Sequence, residues 1–370
     1  MAWWGDVKRS AVFVVGLVAL GALTWRAAGT EATAPGDLGA SVAAPAVQIG
    51  DDGTSSTEIS VLTYNVHAFP WPLRLGGAGA MEEIGLKLQA LRAEGRGPDV
   101  LLIQEGFSDD ARRIAEIGGY PFHAEGSTRA DALRVGDAAR GESHVEDLIK
   151  GADWTKGETL GPLVGSGLRA FSRFPIVETA DSSFGRYACA GYDCLAGKGV
   201  LGVRVDVPGV PGGVALFTTH LNANKRSGVS QTRSGQAYEL QLDRLKTFMG
   251  AHLAPETPVI FGGDFNIKNQ KKRQTQAYEL LADFAMVHHY CDANASSCRQ
   301  DYHGERRSGW LEPRDVQGFR NGTRVRVQPV AVEALFDGGD DGAMYSDHAG
   351  YLVTYRLIWK SPPRDESFCL

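Results

Sequence analysis

Apolar runs that meet one phosphate- or metal-competent side chain constrain this chain most. Val61-Leu62-Thr63-Tyr64 runs into Asn65, residues 100–104 into Glu105, and residues 214–219 into His220. Residues 259–263 run into Asp264, with Asn266 two positions on, and Ser346-Asp347-His348 leads into the apolar Tyr351-Leu352-Val353. Short apolar runs bounded by Gly, Pro or Asp read as buried strands. A buried strand that meets a carboxylate, amide or imidazole delivers that group to the rim of a sheet. Several such rims converging give a hard-metal site beside acid–base groups, which is equipment for hydrolysing a phosphoester.

The rest of the pattern predicts α/β. Helical spacing runs through 82–94 (Ile84, Leu88, Leu91), 235–252 (Leu242, Leu245, Phe248) and 275–286 (Tyr278, Leu281, Phe284). Strands are expected at 59–66, 100–105, 166–172, 199–207, 214–220, 258–264, 325–332 and 350–357, alternating with those helices. The polar, Gly-containing segments 124–160 and 222–236 read as loops at the mouth of the site. With 43% hydrophobic and 22% charged residues, the chain buries a substantial core, and residues 58–370 read as one catalytic domain. The net charge of −6 argues mildly against duplex nucleic acid as the main partner. Lys268, Lys271, Lys272 and Arg273 form a basic cluster after Asp264, read either as a solvated helix start or as attraction for an anionic substrate.

Residues 1–30 read as a targeting segment. Lys8 and Arg9 precede an apolar stretch over 11–25, short for a membrane span, and Ala27-Ala28-Gly29 offers small residues for cleavage. A signal peptide for a secreted or periplasmic protein is the first reading, and a membrane anchor through 11–25 the second. Residues 31–57 read as a flexible linker. Export makes Cys189 with Cys194, and Cys291 with Cys298, natural local disulfide pairs, with Cys369 left over. Zinc is the alternative, but the spacings are not those of a zinc ribbon.

The order of TYNV at Asn65, QEGF at Glu105, SGLRAFSRFPI at 166–176, TTHLN at His220, GGDFN at Asp264 and SDH at His348 resembles the endonuclease/exonuclease/phosphatase superfamily. The likeness covers roughly residues 58–358. It implies a four-layer sandwich, two packed mixed β-sheets flanked by helices. It also implies Glu105 as the central ligand of Mg²⁺ (Mn²⁺ or Co²⁺ as substitutes), and Asn65 as an amide orienting water, metal or phosphate.

Chemistry extends this to the other residues. Asp264 would orient the attacking water and Asn266 bond a phosphate oxygen, the paired Gly262 and Gly263 leaving room for the anion. His348 is the candidate general base, since a neutral imidazole accepts a proton near neutral pH. Asp347 points away from its neighbour in an ideal strand, which suits it to metal rather than to His348. His220 is expected to donate to the phosphorus centre. One departure stands out. Many members support the base with an Asp in an Arg-x-Asp-Tyr strand, and the matching stretch here reads Arg326-Val327-Gln328-Pro329. Gln328 cannot stabilise an imidazolium, which leaves Asp337, Asp340, Asp341 or Asp264 to do so.

Asp193, four residues, then Lys198-Gly199 resembles the neutral sphingomyelinase branch and implies that Lys198 meets the substrate phosphate while Asp193 restrains it. The helix from Arg233 to Leu245 resembles that branch too, although THLN replaces its more usual THLH or THLQ. The expected activity is an exported Mg²⁺-dependent phosphodiesterase acting on a phospholipid at a membrane surface. Alternatives are an extracellular nuclease on the same core, with nucleic acid as substrate, and an inactive surface-binding module. No obligate protein partner is evident.

Overall fold

In the computed structural model the described residues are 44–69, 79–301, 314–338 and 344–360. The targeting segment, residues 31–43 of the linker, Asp340, Asp341 and Cys369 lie outside them. Two mixed β-sheets pack face to face. The first contains β1 (Gln48–Ile49), β2 (Thr54–Ala68), β3 (Val100–Gly106), β4 (Phe122–Glu125), β5 (Arg169–Ser172), β11 (Arg299–Asp301), β13 (Val325–Leu335) and β14 (Gly350–Lys360). Its order is β11-β13-β14-β2-β3-β5-β4, with β1 beside β2. The second has the order β10-β12-β9-β8-β7-β6, from β6 (Ile176–Ser183), β7 (Gly199–Val205), β8 (Val214–His220), β9 (Val259–Asp264), β10 (Ala285–Met286) and β12 (Asp315–Arg320). This is the four-layer arrangement that the family resemblance implies.

Strand alternation sorts side chains between the layers. Ile59 and Val61 of β2 enter the inter-sheet core with Val100, Leu102, Leu216, Ile260, Val353 and Tyr355. The other face of β2, with Leu62, Tyr64 and Val66, packs under the helices Ala80–Ala93 and Arg112–Gly118. On the far side, Phe217, Phe261 and Val316 pack under Gln231–His252 through Tyr238, Leu242, Leu245 and Phe248. Each fully buried aliphatic or aromatic side chain contributes roughly 1.5–3 kcal/mol, so the three clusters dominate the stability of the fold.

Four expectations need correction. The linker reading runs too far, because β2 begins at Thr54. Segment 124–160 holds the helices Arg129–Ala138 and Ser143–Lys150, the first closed by a Thr128–Asp131 capping box. Within 222–236 the long helix already starts at Gln231, capped by Ser230. The third helix spans Lys271–Leu280; Leu281 and Phe284 stay buried, but the chain turns there and Ala285–Met286 pairs with β12. Both local cysteine pairs are disulfides, Cys189–Cys194 and Cys291–Cys298.

Candidate active site

The inter-sheet faces are apolar along most of their length and become polar at one end. On β2 the inward row continues from Ile59 and Val61 to Thr63 and Asn65, and on β3 from Val100 and Leu102 to Gln104. On β8 it passes from Leu216 to Thr218 and His220, on β9 from Ile260 to Gly262 and Asp264, and on β12 from Phe319 to Gln317 and Asp315. The first polar tier joins the sheets: Gln104 Nε2 donates to Thr63 (3.1 Å) and to Thr218 (2.8 Å). Gln317 donates to the carbonyls of Val61 and Tyr351 and accepts from Tyr355. A buried polar network is stabilising only when its members are satisfied, as these are. The second tier is the site.

In that tier β9 sets Asp264 beside His220 on one neighbour and Asp315 on the other. Asn65 Nδ2 reaches Asp264 Oδ2 from the opposite sheet at 3.3 Å. Gly262 and Gly263 serve this closeness. Both lie in the extended strand rather than in a turn, and a Cβ on Gly262 would meet Thr63 at 2.9 Å. The strand ends at Asp264 and does not continue through Asn266. Asn266 has φ +52°, its backbone N–H donates to Asp264 Oδ1 at 2.9 Å, and its amide donates to Leu221 O. Glu105 (φ +55°) and His67 (φ +51°) share this left-handed conformation. Gln104 already faces inward, so only a break in the strand lets Glu105 turn to the same rim. Such strain costs about 1–3 kcal/mol per residue and clusters at functional sites.

Glu105 Oε1 lies 3.8 Å from His220 Nε2, and Oε2 lies 3.4 Å from His67 Nδ1. Glu105 Oε2 is buried without a hydrogen-bond partner. An orphaned carboxylate oxygen on a rim of amides and carboxylates fits a hard divalent cation. Asp264, Asp315 and His348 also offer donor atoms within 4.8 Å of one another. Within that group His348 Nδ1 and Asp315 Oδ2 are 2.7 Å apart and occupy each other.

His348 is buried and bonded at both nitrogens. Asp315 takes Nδ1, and Arg314 Nη1 lies 2.9 Å from Nε2, with Asp264 Oδ2 at 3.7 Å. A guanidinium can only donate, so in the neutral ring Nε2 accepts and Nδ1–H points to Asp315. Burial pushes this imidazole down, but Asp315 and Asp264 outweigh it and raise its pKa to about 9. Burial drives the Asp264 carboxyl up, against the opposing charge of His348. His220 is held neutral, well below the ordinary histidine range, by burial and then by Lys198 and His348.

Lys198 is buried, 2.7 Å from Asp193 Oδ1, 3.1 Å from His220 Nε2 and 3.0 Å from Leu221 O. The ammonium donates to His220, so that ring is an acceptor here. Asp193 is itself fixed, since Ala223 N donates to its other oxygen. Asp347, read as a metal ligand, is engaged by side chains. His67, Arg226 and Arg314 all reach its carboxylate, at 3.3, 2.6 and 3.3 Å. The hydrogen bond from His67 holds that carboxyl well below its usual range. Arg273 and Lys272 of the basic cluster are structural: Arg273 is buried against Asn222 O, Ser234 O and the Tyr238 ring, and Lys272 pairs with Glu239.

The carboxylate behind His348 is therefore Asp315, and the reading of Gln328 at that place is wrong. Gln328 lies in β13 opposite Arg356, and Asp315 is the residue at Nδ1 of the base. Asp315, Arg314, His67 and Arg226 escaped the reading of the sequence. Asp315 had a signal. It opens the short strand Asp315-Val316-Gln317-Gly318-Phe319, and β12 runs antiparallel to β9, so its polar residue precedes the apolar run instead of following it.

The sequence profile of the Endonuclease/Exonuclease/phosphatase family matches residues 62–348. Among solved structures, a beta toxin from Staphylococcus aureus is similar at 15% identity and TM-score 0.53, over 80% of this chain and 99% of that one. Sphingomyelinase C from Streptomyces griseocarneus is similar at 18% identity and TM-score 0.50, over 80% and 99%. A humanized D. rerio TDP2 is similar at 17% identity and TM-score 0.50, over 80% and 98%. At these identities the likeness is one of fold. No curated protein sequence matches this chain.

Proposed function

Because this chain belongs to the endonuclease/exonuclease/phosphatase family, a family of phosphoesterases, we propose that it is an exported, Mg²⁺-dependent phosphodiesterase of sphingomyelinase type. The observation that carries this reading is Lys198, a buried ammonium clamped by Asp193 and aimed at His220 within the carboxylate–imidazole tier. A buried, oriented cation beside a base is the arrangement that receives a phosphate. Glu105 with Asn65 would hold the Mg²⁺, and Asp347 could join them only on release from Arg226 and Arg314; the cation, when bound, supplies charge stabilisation to the phosphoryl oxygens.

This chain's own groups supply the rest. His348 Nε2 takes the proton of the attacking water, while Asp315 holds the ring through Nδ1–H and stabilises the imidazolium. Arg314 must first leave Nε2, where it stands in the place of that water. Asp264 orients the water, and Asn266 offers its remaining amide proton to a phosphate oxygen. As Lys198 turns to the phosphate, His220 Nε2 is freed to carry a proton and donate to the same anion. In-line displacement joins the water oxygen to phosphorus and breaks the bond between phosphorus and the lipid alcohol, whose oxygen takes up a proton from solvent, giving phosphocholine and ceramide or their equivalents. The two disulfides support an exported location.

A nuclease is the second reading, favoured by Arg226 and Arg314. Two guanidiniums at the mouth suit the next phosphate of a polynucleotide. An inactive module is disfavoured by the complete set of acid, base and cation. The deciding experiment assays the purified protein on sphingomyelin, lysophospholipid and plasmid DNA, with Mg²⁺ and with EDTA. Mg²⁺-dependent release of phosphocholine, lost in His348→Ala, supports the lipid reading. Efficient cutting of DNA with sphingomyelin untouched replaces it by the nuclease.

A further inference from the structure

Large apolar side chains that are well exposed are few among the described residues, and four of them lie on two short segments tied to each other. Trp154 (74% exposed), Leu160 (59%) and Leu163 (36%) fall within ten residues, and Tyr192 (49%) lies in the turn beside them. Lys156 Nζ sits 5.2 Å from the centroid of the Tyr192 ring, and the same ring packs on Gly228. The exposed Lys225 belongs to the adjoining turn Lys225–Ser227. Asp153, the acid nearest Trp154, is spent on capping Thr155. The patch therefore shows aromatic and aliphatic groups interleaved with lysines.

It is also rigidly mounted. Glu158 is buried beneath it and accepts from Arg233 at both oxygens, from Asp153 N and from Gly191 N. That hub ties the 153–163 segment to the turn Gly191–Leu195. Leu163 N–H donates to Leu195 O and closes the other end. The turn carries Tyr192 and, next to it, Asp193, the clamp of Lys198. Surface patch and phosphate-binding lysine thus share one short, pinned piece of chain.

We infer that Trp154, Leu160, Leu163 and Tyr192, with Lys156 and Lys225, form a docking surface for a lipid bilayer bearing anionic headgroups. This rests on the lipid reading of the site given above. Trp and Tyr settle at the headgroup level of a bilayer, and lysines beside them are drawn to anionic lipid. Docked this way, the turn holds Asp193 and Lys198 at the depth of the lipid phosphates. A soluble diester needs no such docking.

The test uses the full-length protein with vesicles of phosphatidylcholine and phosphatidylglycerol brominated on the acyl chains, in EDTA so that no cleavage occurs. Bromine quenches tryptophan emission only at contact depth. Wild type should lose an emission component that Trp154→Phe lacks; equal quenching of the two overturns the docking surface. Trp154→Ala and Tyr192→Ala, with Mg²⁺, should each raise KM on such vesicles containing sphingomyelin about tenfold and leave turnover of bis(p-nitrophenyl) phosphate unchanged. Equal losses on both substrates would assign a structural role and overturn it as well. If a single-stranded oligonucleotide perturbs Trp154 and vesicles do not, the partner is nucleic acid and the inference fails. A protein that docks through Trp154 but cleaves no lipid confirms the surface and overturns only the substrate reading.

Discussion

At the level of single residues, His348 is the most informative group. Asp315 and Arg314 pull it in opposite senses, the carboxylate favouring the imidazolium and the guanidinium the neutral ring. Asp315→Asn removes the favourable charge, so the His348 pKa should fall by about one unit or more. The base works only when neutral, so the acidic limb of the pH–rate profile should move to lower pH. Its plateau should drop roughly 10²-fold, because a weaker and less oriented base remains. NMR titration of the His348 ring in both proteins checks the shift directly, and an unmoved pKa would remove Asp315 from the relay. Lys198→Ala should act differently. A charge-assisted contact to phosphate is worth about 1.5–3 kcal/mol, so cleavage of a choline diester should fall roughly ten- to a hundredfold. The pH profile should keep its shape, while the unfolding midpoint should fall, because Asp193 loses its buried counter-charge and keeps only its bond from Ala223 N. A loss equal to that of His348→Ala would assign Lys198 to proton transfer instead.

At the level of elements, the legible part of the site was the part carried by strands read in their own direction. Asn65, His220 and Asp264 end runs of alternating or continuous apolar residues, so a period of two was enough to find them. Asp315 lies at the start of an antiparallel strand, where no apolar run leads into it. Glu105 was found by its QEGF context, yet nothing in the alternation announced that its backbone would enter the left-handed region. The helices within 124–160 were missed because each is short and buries only two residues: Ala132 and Gly136 in one, Val145 and Leu148 in the other. The turn at Gly191–Leu195 offers an element-scale prediction. Gly191 has φ +67°, and a Cβ there would lie 1.8 Å from Ser227 O, a backbone atom that cannot swing aside. Gly191→Ala should therefore displace the turn and destabilise the protein by about 2 kcal/mol or more. Lys198 would lose its clamp with it. Denaturant unfolding gives the first effect and KM for the diester the second. Wild-type values for both would mean that the Gly191–Leu195 turn neither holds the fold nor aligns the site.

At the level of the whole molecule, the site is where two sheets stop being held together by apolar contact. Gln104, Thr63, Thr218 and Gln317 still bridge them one tier down. At the rim, Glu105 from one sheet faces Asp264 and Asp315 from the other, with Asp347 beside His67. Four carboxylates in one buried end cost stability through mutual repulsion and desolvation unless cations answer them. Lys198, Arg314 and Arg226 answer part of that charge, and Glu105 Oε2 is left without a donor. A divalent cation bound there should consequently stabilise the fold as a whole, because it joins groups that only the closed sandwich brings together. At a Mg²⁺ concentration about a hundred times its Kd the gain is about 2.7 kcal/mol, which for a domain of this size raises Tm by roughly 5 °C. EDTA should reverse it. Glu105→Gln keeps the shape and removes the charge, so it should unfold near the wild-type Tm without metal and gain little when Mg²⁺ is added. Asn266→Ala, which leaves the carboxylates in place, should retain most of the gain. Thermal melts of the three proteins across a Mg²⁺ series decide this without any assay of activity. If Glu105→Gln gains as much as wild type, the cation binds elsewhere and the bridging role of Glu105 is lost with it.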